Sequence, residues 1–106
     1  MLYLETEAVE LKKCLTDSFE KEVVAFLNSR NGTIYIGIDN NGDIIGVSSV
    51  DETLRKISDI ISNNILPNPT DFITVETSKK ENKTIIVVHV HRGTSLYYVT
   101  YSHHLV

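Results

Sequence analysis

The sequence predicts an α+β domain: two helices packed on one mixed, mostly antiparallel sheet. Three observations carry that prediction. Two segments, from about Asp17 to Asn28 and from about Asp51 to Asn64, each gather apolar side chains on one helical face. Thr33 to Ile38 alternates isoleucine with other residues at the period of a strand. The last third is rich in β-branched residues and broken by polar turns.

Taken in order, Val9 to Lys12 is a short strand, with Val9 and Leu11 alternating with Glu10 and Lys12. In the first helix Phe19, Val23, Phe26 and Leu27 share a face, and Asp17 with Glu20 has capping-box spacing. Asn31-Gly32 should end it, because both residue types tolerate the left-handed conformation. After Thr33–Ile38, Asn41-Gly42 signals a type I′ hairpin that returns through Asp43 to Val47. The second helix presents Leu54, Ile57, Ile60 and Ile61 inward, with Ser49 and Glu52 as its capping box, and Pro67 and Pro69 end it. Phe72 to Thr77 is a strand, Glu81-Asn82-Lys83 a polar turn, Thr84 to His91 a long strand, and Leu96 to Tyr101 a last one after Gly93.

A length of 106 residues fits a single domain, residues 1–106, that buries roughly two thirds of its unfolded surface. One cysteine, Cys14, excludes an internal disulfide and fits a reducing compartment. No apolar run nears the ~20 residues that span a bilayer, and no signal peptide opens the chain, so a soluble, cytoplasmic protein is expected. The net charge of −4 excludes a uniformly basic nucleic-acid binder. Any such role must rest on a local patch, a metal ion, or further sequence.

Three segments, in order, carry a family resemblance. They are Glu5-Thr6 with Glu10-Leu11-Lys12; Ala25-Phe26-Leu27-Asn28-Ser29 running into Gly32-Thr33-Ile34-Tyr35-Ile36-Gly37-Ile38-Asp39; and Gly42-Asp43-Ile44-Ile45-Gly46-Val47, followed by a helix closing at Ile65-Leu66-Pro67. Together they resemble the Schlafen AlbA_2 domain over Glu5 to about Tyr98. The resemblance implies an N-terminal domain of a longer protein, DNA binding as in bacterial transcriptional regulators, or RNA cleavage with three carboxylates as in some animal relatives. By motif those carboxylates are Glu5, Glu10 and Asp39. Many relatives carry Gly-Gly where this chain has Asn31-Gly32, and relatives usually continue past the point where it ends.

Glu5, Glu10 and Asp39 are hard oxygen ligands suited to magnesium or manganese, and a bound cation would activate water against a phosphoryl group. Glu5 and Glu10 lie an odd number apart, so the chain must bend before Val9 to bring them together. Lys12 and Lys13 are phosphate contacts or edge-strand charges, and Lys79, Lys80 and Lys83 cluster at a hairpin, first as a charged loop tip and second as phosphate contacts. Arg30 is a further phosphate contact. His89 and His91 have the spacing of a metal pair but no third ligand nearby, so ordinary strand histidines are expected. Asn28 and Ser29 fit a helix end or a ligand contact. Cys14 is expected to be inert. The glycines match neither a P-loop nor a dinucleotide fingerprint, so no ATP site is expected. Tyr97, Tyr98 and Tyr101 fit base stacking or an edge strand.

The first reading is thus a DNA- or RNA-binding module that needs no cofactor. The second is a Mg- or Mn-dependent ribonuclease using Glu5, Glu10 and Asp39. The third is an assembly module whose edge strands pair copies into a homodimer.

Overall fold

The computed structural model describes residues 3–100. Its elements run β1 (Val9–Lys12), α1 (Phe19–Ser29), β2 (Gly32–Ile36), α2 (Val50–Asn63), β3 (Ile65–Leu66), a 3-10 turn (Thr70–Phe72), β4 (Ile73–Lys80), β5 (Lys83–Val90) and β6 (Tyr98–Val99). Four strands form one sheet in the order β1-β2-β5-β4, and β3 and β6 pair separately. The expected α+β class therefore holds. β1 and β2 are parallel, since the α1 crossover returns the chain to the same end; the β2–β5 and β5–β4 pairs are antiparallel.

Strand alternation divides the apolar side chains between two clusters on opposite faces of the sheet. Ile34, Ile36, Ile86, Val88 and Val90 meet Phe19, Val23, Phe26 and Leu27 of α1 and Ile57 and Ile61 of α2. The faces of both helices match the sequence periodicity. Leu11, Ile38, Ile85 and Val87 form a smaller cluster with Tyr3, to which no helix among the described residues contributes.

Four local expectations are corrected. Helix α1 ends without a left-handed residue: Arg30 is extended at φ −161°, and neither Asn31 nor Gly32 has positive φ. Gly32 is needed for another reason, because a Cβ there would sit 2.3 Å from the Phe26 ring. Asn41-Gly42 is not a type I′ turn either, since only Gly42 (φ 86°) has positive φ. The Gly42 amide bonds the Asp39 carbonyl at 3.0 Å, and Ile38 and Ile44 form only an isolated bridge, so no strand follows. The type I′ geometry belongs to Glu81 (φ 51°) and Asn82 (φ 63°), which join β4 to β5. Finally, Ser18 rather than Asp17 is the N-cap of α1, and neither Ser18 nor Ser49 caps its helix through the side chain, so the Asp17–Glu20 and Ser49–Glu52 boxes do not form.

The last expected strand is short, with Tyr98–Val99 alone pairing on β3, while Tyr101 lies outside the described residues. Tyr97 is buried against Phe72. It is held by Asn28, whose Nδ2 donates to the Tyr97 carbonyl at 2.9 Å and whose Oδ1 accepts from the Tyr97 amide at 2.8 Å. Asn28 thus acts as one residue of a β-ladder. Asn28→Ala should lose both bonds and lower stability by about 2 kcal/mol in chemical denaturation. A loss below 0.5 kcal/mol would show that β6 is held without it.

Candidate nucleic-acid interface

The turn closed by Thr6 and Val9 (Thr6 N to Val9 O, 3.0 Å) supplies the bend that Glu5 and Glu10 require. Glu5 folds back so that its Oε2 accepts the Leu11 amide at 3.2 Å. Its carboxyl lies beside that of Glu10. Glu10 and Lys12 project toward α1, where Glu22 joins them. Lys12 Nζ donates to Glu22 Oε2 at 3.0 Å and to Ser18 Oγ at 2.6 Å. Glu22 Oε1 is buried and has no hydrogen-bond partner. Burial first, then the Glu22 charge, then the hydrogen bond and charge of Glu5 push Glu10 up to about 7, against a smaller opposing pull from Lys12. Glu10 consequently keeps its proton to near neutral pH.

Asp39 stands apart from this pair. Its Oδ1 accepts the Asn41 and Asp43 amides, both at 2.9 Å, so the carboxylate organises its own loop. Glu10 is in register with Ile34, whereas Asp39 follows the end of β2 at Ile36 and the positive-φ Gly37, where the Gly37 and Ile38 amides both bond the Lys12 carbonyl. Among the described residues no group of three or more His, Cys, Asp or Glu is placed to hold a metal ion. As arranged, Glu5, Glu10 and Asp39 do not form a cradle for one cation. His91 lies beyond β5, and His89 Nε2 pairs with Glu76 Oε2 at 2.8 Å.

The basic residues separate into two ends of the sheet. Lys12, Ile36, Ile86 and Thr77 form one row across the four strands. Lys13, Lys79, Lys80 and Lys83 all lie beyond that row, on a rim that three strand spacings make about 14 Å wide. Among the described residues Lys13, Lys79 and Lys80 are exposed and have no ion-pair partner, while Lys83 donates to the Ile44 carbonyl at 3.1 Å. Ser48, Ser49 and Thr53, at the start of α2, share a groove with Lys13 on the same rim. Asp43 and Glu81 also sit there, so the rim is lysine-rich rather than purely basic.

Lys12 is turned inward, with its side chain only 13% exposed. Arg30 is at the opposite end and pairs with Glu7 at 3.0 Å. Cys14 is exposed and unpaired, Tyr97 is buried, and Tyr98 is exposed. Sequence reasoning missed Glu22 and Ser18. Nothing in a helical periodicity tells which polar residue will meet a neighbouring strand. It also missed the gathering of lysines from β1, β4 and β5, which only the strand order reveals.

The family model described as "Schlafen, AlbA_2" matches residues 5–106. No curated protein matches the chain. Among solved structures, the crystal structure of the DIP2311 protein from Corynebacterium diphtheriae is similar in fold, with a TM-score of 0.64 at 19% identity. The likeness covers 90% of this chain but only 20% of that one. Among the described residues no helix is long and apolar enough to cross a membrane.

Proposed function

The chain belongs to the Schlafen AlbA_2 family, and from that membership we propose that it is a nucleic-acid-binding module that grips phosphates with its lysine rim. A role as the DNA-binding part of a transcriptional regulator is the setting this family suggests. The single observation that carries the proposal is the placement of Lys13, Lys79, Lys80 and Lys83 at one end of the sheet. It reconciles phosphate binding with a net charge of −4, because much of the acidic excess lies on the helices and around β1.

Such a patch gives salt-sensitive, sequence-tolerant binding in the range of ~10⁻⁴ to 10⁻⁶ M. Replacing Lys13, Lys79 and Lys80 together with Gln should weaken binding at least about tenfold at low salt. It should also lower the slope of log K against log salt by up to about 3. Arg30→Gln, at the other end, should change neither. Fluorescence anisotropy across a salt series reads both quantities; unchanged binding by the triple variant would reject the rim.

A second reading has one observation in its favour, the convergence of Glu5 and Glu10. Mg- or Mn-dependent cleavage of structured RNA, lost in Asp39→Ala, would establish the carboxylates as a nuclease and displace simple binding.

A further inference from the structure

Among the described residues, helices cover only one face of the sheet. On the other, beside the small apolar cluster, lies a groove of about 210 Å³ lined by Tyr3, Tyr35, Glu76, Ser78, Lys80 and His89, with an apolar floor from β5. This is well below the ~300–1,000 Å³ of pockets for larger ligands and suits one planar ring. Tyr35 stands on the central strand β2, half-buried, with Tyr3 packed edge-on against it at a centroid distance of 5.0 Å. Its ring is thereby fixed in place. Burial, with Tyr3 and Glu76 nearby, holds its phenol above the ordinary value, so at neutral pH it remains a proton donor. His89 and Glu76 form a polar pair at the groove wall.

We propose that this groove takes one unstacked nucleobase from a single strand of DNA or RNA, with Tyr35 as its stacking surface, the His89–Glu76 pair at its polar edge and Lys80 on the adjoining phosphate. The inference rests on the nucleic-acid reading above and names its substrate class. A tyrosine on a sheet face is ordinarily packing alone. Three features distinguish this one. Open volume adjoins the ring, hydrogen-bonding groups converge at the same place, and the groove runs directly into the lysine rim, since Lys80 belongs to both. Bases within a duplex are stacked on both sides and cannot enter such a groove. Single strands offer their faces to aromatic side chains and their edges to polar ones.

The test titrates the whole chain with short unstructured riboadenylate and deoxyadenylate strands, and with a duplex as control. The chain has no tryptophan and Tyr3 and Tyr35 of its five tyrosines line the groove, so the part of the tyrosine quenching that Tyr35→Leu removes reports on the groove. Both single strands should quench the tyrosine fluorescence, and the two arms show whether the 2′-hydroxyl matters. Tyr35→Leu should weaken single-strand binding about tenfold or more and leave duplex binding within twofold. Because Tyr35 is half-buried, the exposed-pair variant Glu76→Gln/His89→Ala provides a second arm, expected to lose severalfold on single strands only. If both variants bind single strands like the parent while the lysine triple variant fails, the groove is excluded and the rim stands. If no nucleic acid binds at low salt, both proposals fall.

Discussion

Gly32→Ala should destabilise the protein by about 3 kcal/mol, seen in urea as an earlier midpoint with an unchanged slope. Gly32 opens β2, is buried, and pairs with Val90. A Cβ built on it would lie 2.3, 2.3 and 2.5 Å from three ring atoms of Phe26, closer than carbon atoms can approach. Phe26 cannot swing freely aside, since it is 7% exposed and packed in the main cluster. Either the ring leaves its position or β2 shifts from β5, and both loosen α1 on the sheet. The double variant Gly32→Ala/Phe26→Leu should recover part of the loss, a coupling that a mutant cycle isolates. A Gly32→Ala protein of parental stability would show that the ring moves without cost.

Stability should fall as pH rises from about 4.5 to 7, and Glu10→Gln should remove most of that slope. Glu10 has its ordinary value of 4.5 in the unfolded chain and about 7 when folded. Below 4.5 both states hold the proton and its contribution is complete. Between the two values the unfolded chain releases the proton while the folded protein keeps it, so unfolding gains ground with rising pH. Above 7 the loss is complete, at about 2 kcal/mol once solvent screening of this half-buried group is allowed for. Glu10→Gln should therefore exceed the parent in stability at pH 8 and show little difference near pH 4. Glu22→Gln would relieve Glu10 too, but it weakens the ion pair that anchors the Lys12 ammonium. A parental pH profile in Glu10→Gln would overturn the account.

Much of this fold was legible because periodicity is set by elementary geometry. Phe19, Val23, Phe26 and Leu27 had to share a face in any helix, and the isoleucines of β2 had to share one in any strand. Periodicity cannot say which sheet face receives helices, so Val9 and Leu11 were seen to be inward without revealing that they serve the smaller cluster. Turn type was less legible. Asn-Gly tolerates several loops, and the Asp39 side chain selected this one by binding the Asn41 and Asp43 amides. The same bonds give Asp39, matched by motif to Glu5 and Glu10, a role within its own loop. For the interface, each lysine was visible singly. Their grouping required the β1-β2-β5-β4 order, which no local pattern encodes.

The two-residue turn at Glu81-Asn82 closes eight register pairs between β4 and β5, the longest ladder in the sheet. It is also the most local. Bringing β5 onto β2 closes a loop some twentyfold longer, at a further entropic cost of roughly 3 kcal/mol. Assembly should thus begin in the last third of the chain, with β2 docking on a ready hairpin and β1 arriving after α1 has formed. Pulse-labelled amide exchange should find β4 and β5 protected before Val9–Lys12; the reverse order would contradict it. On that sequence of events the lysine hairpin exists before the carboxyl pair does, and the charged neighbours of β1 meet only as folding completes.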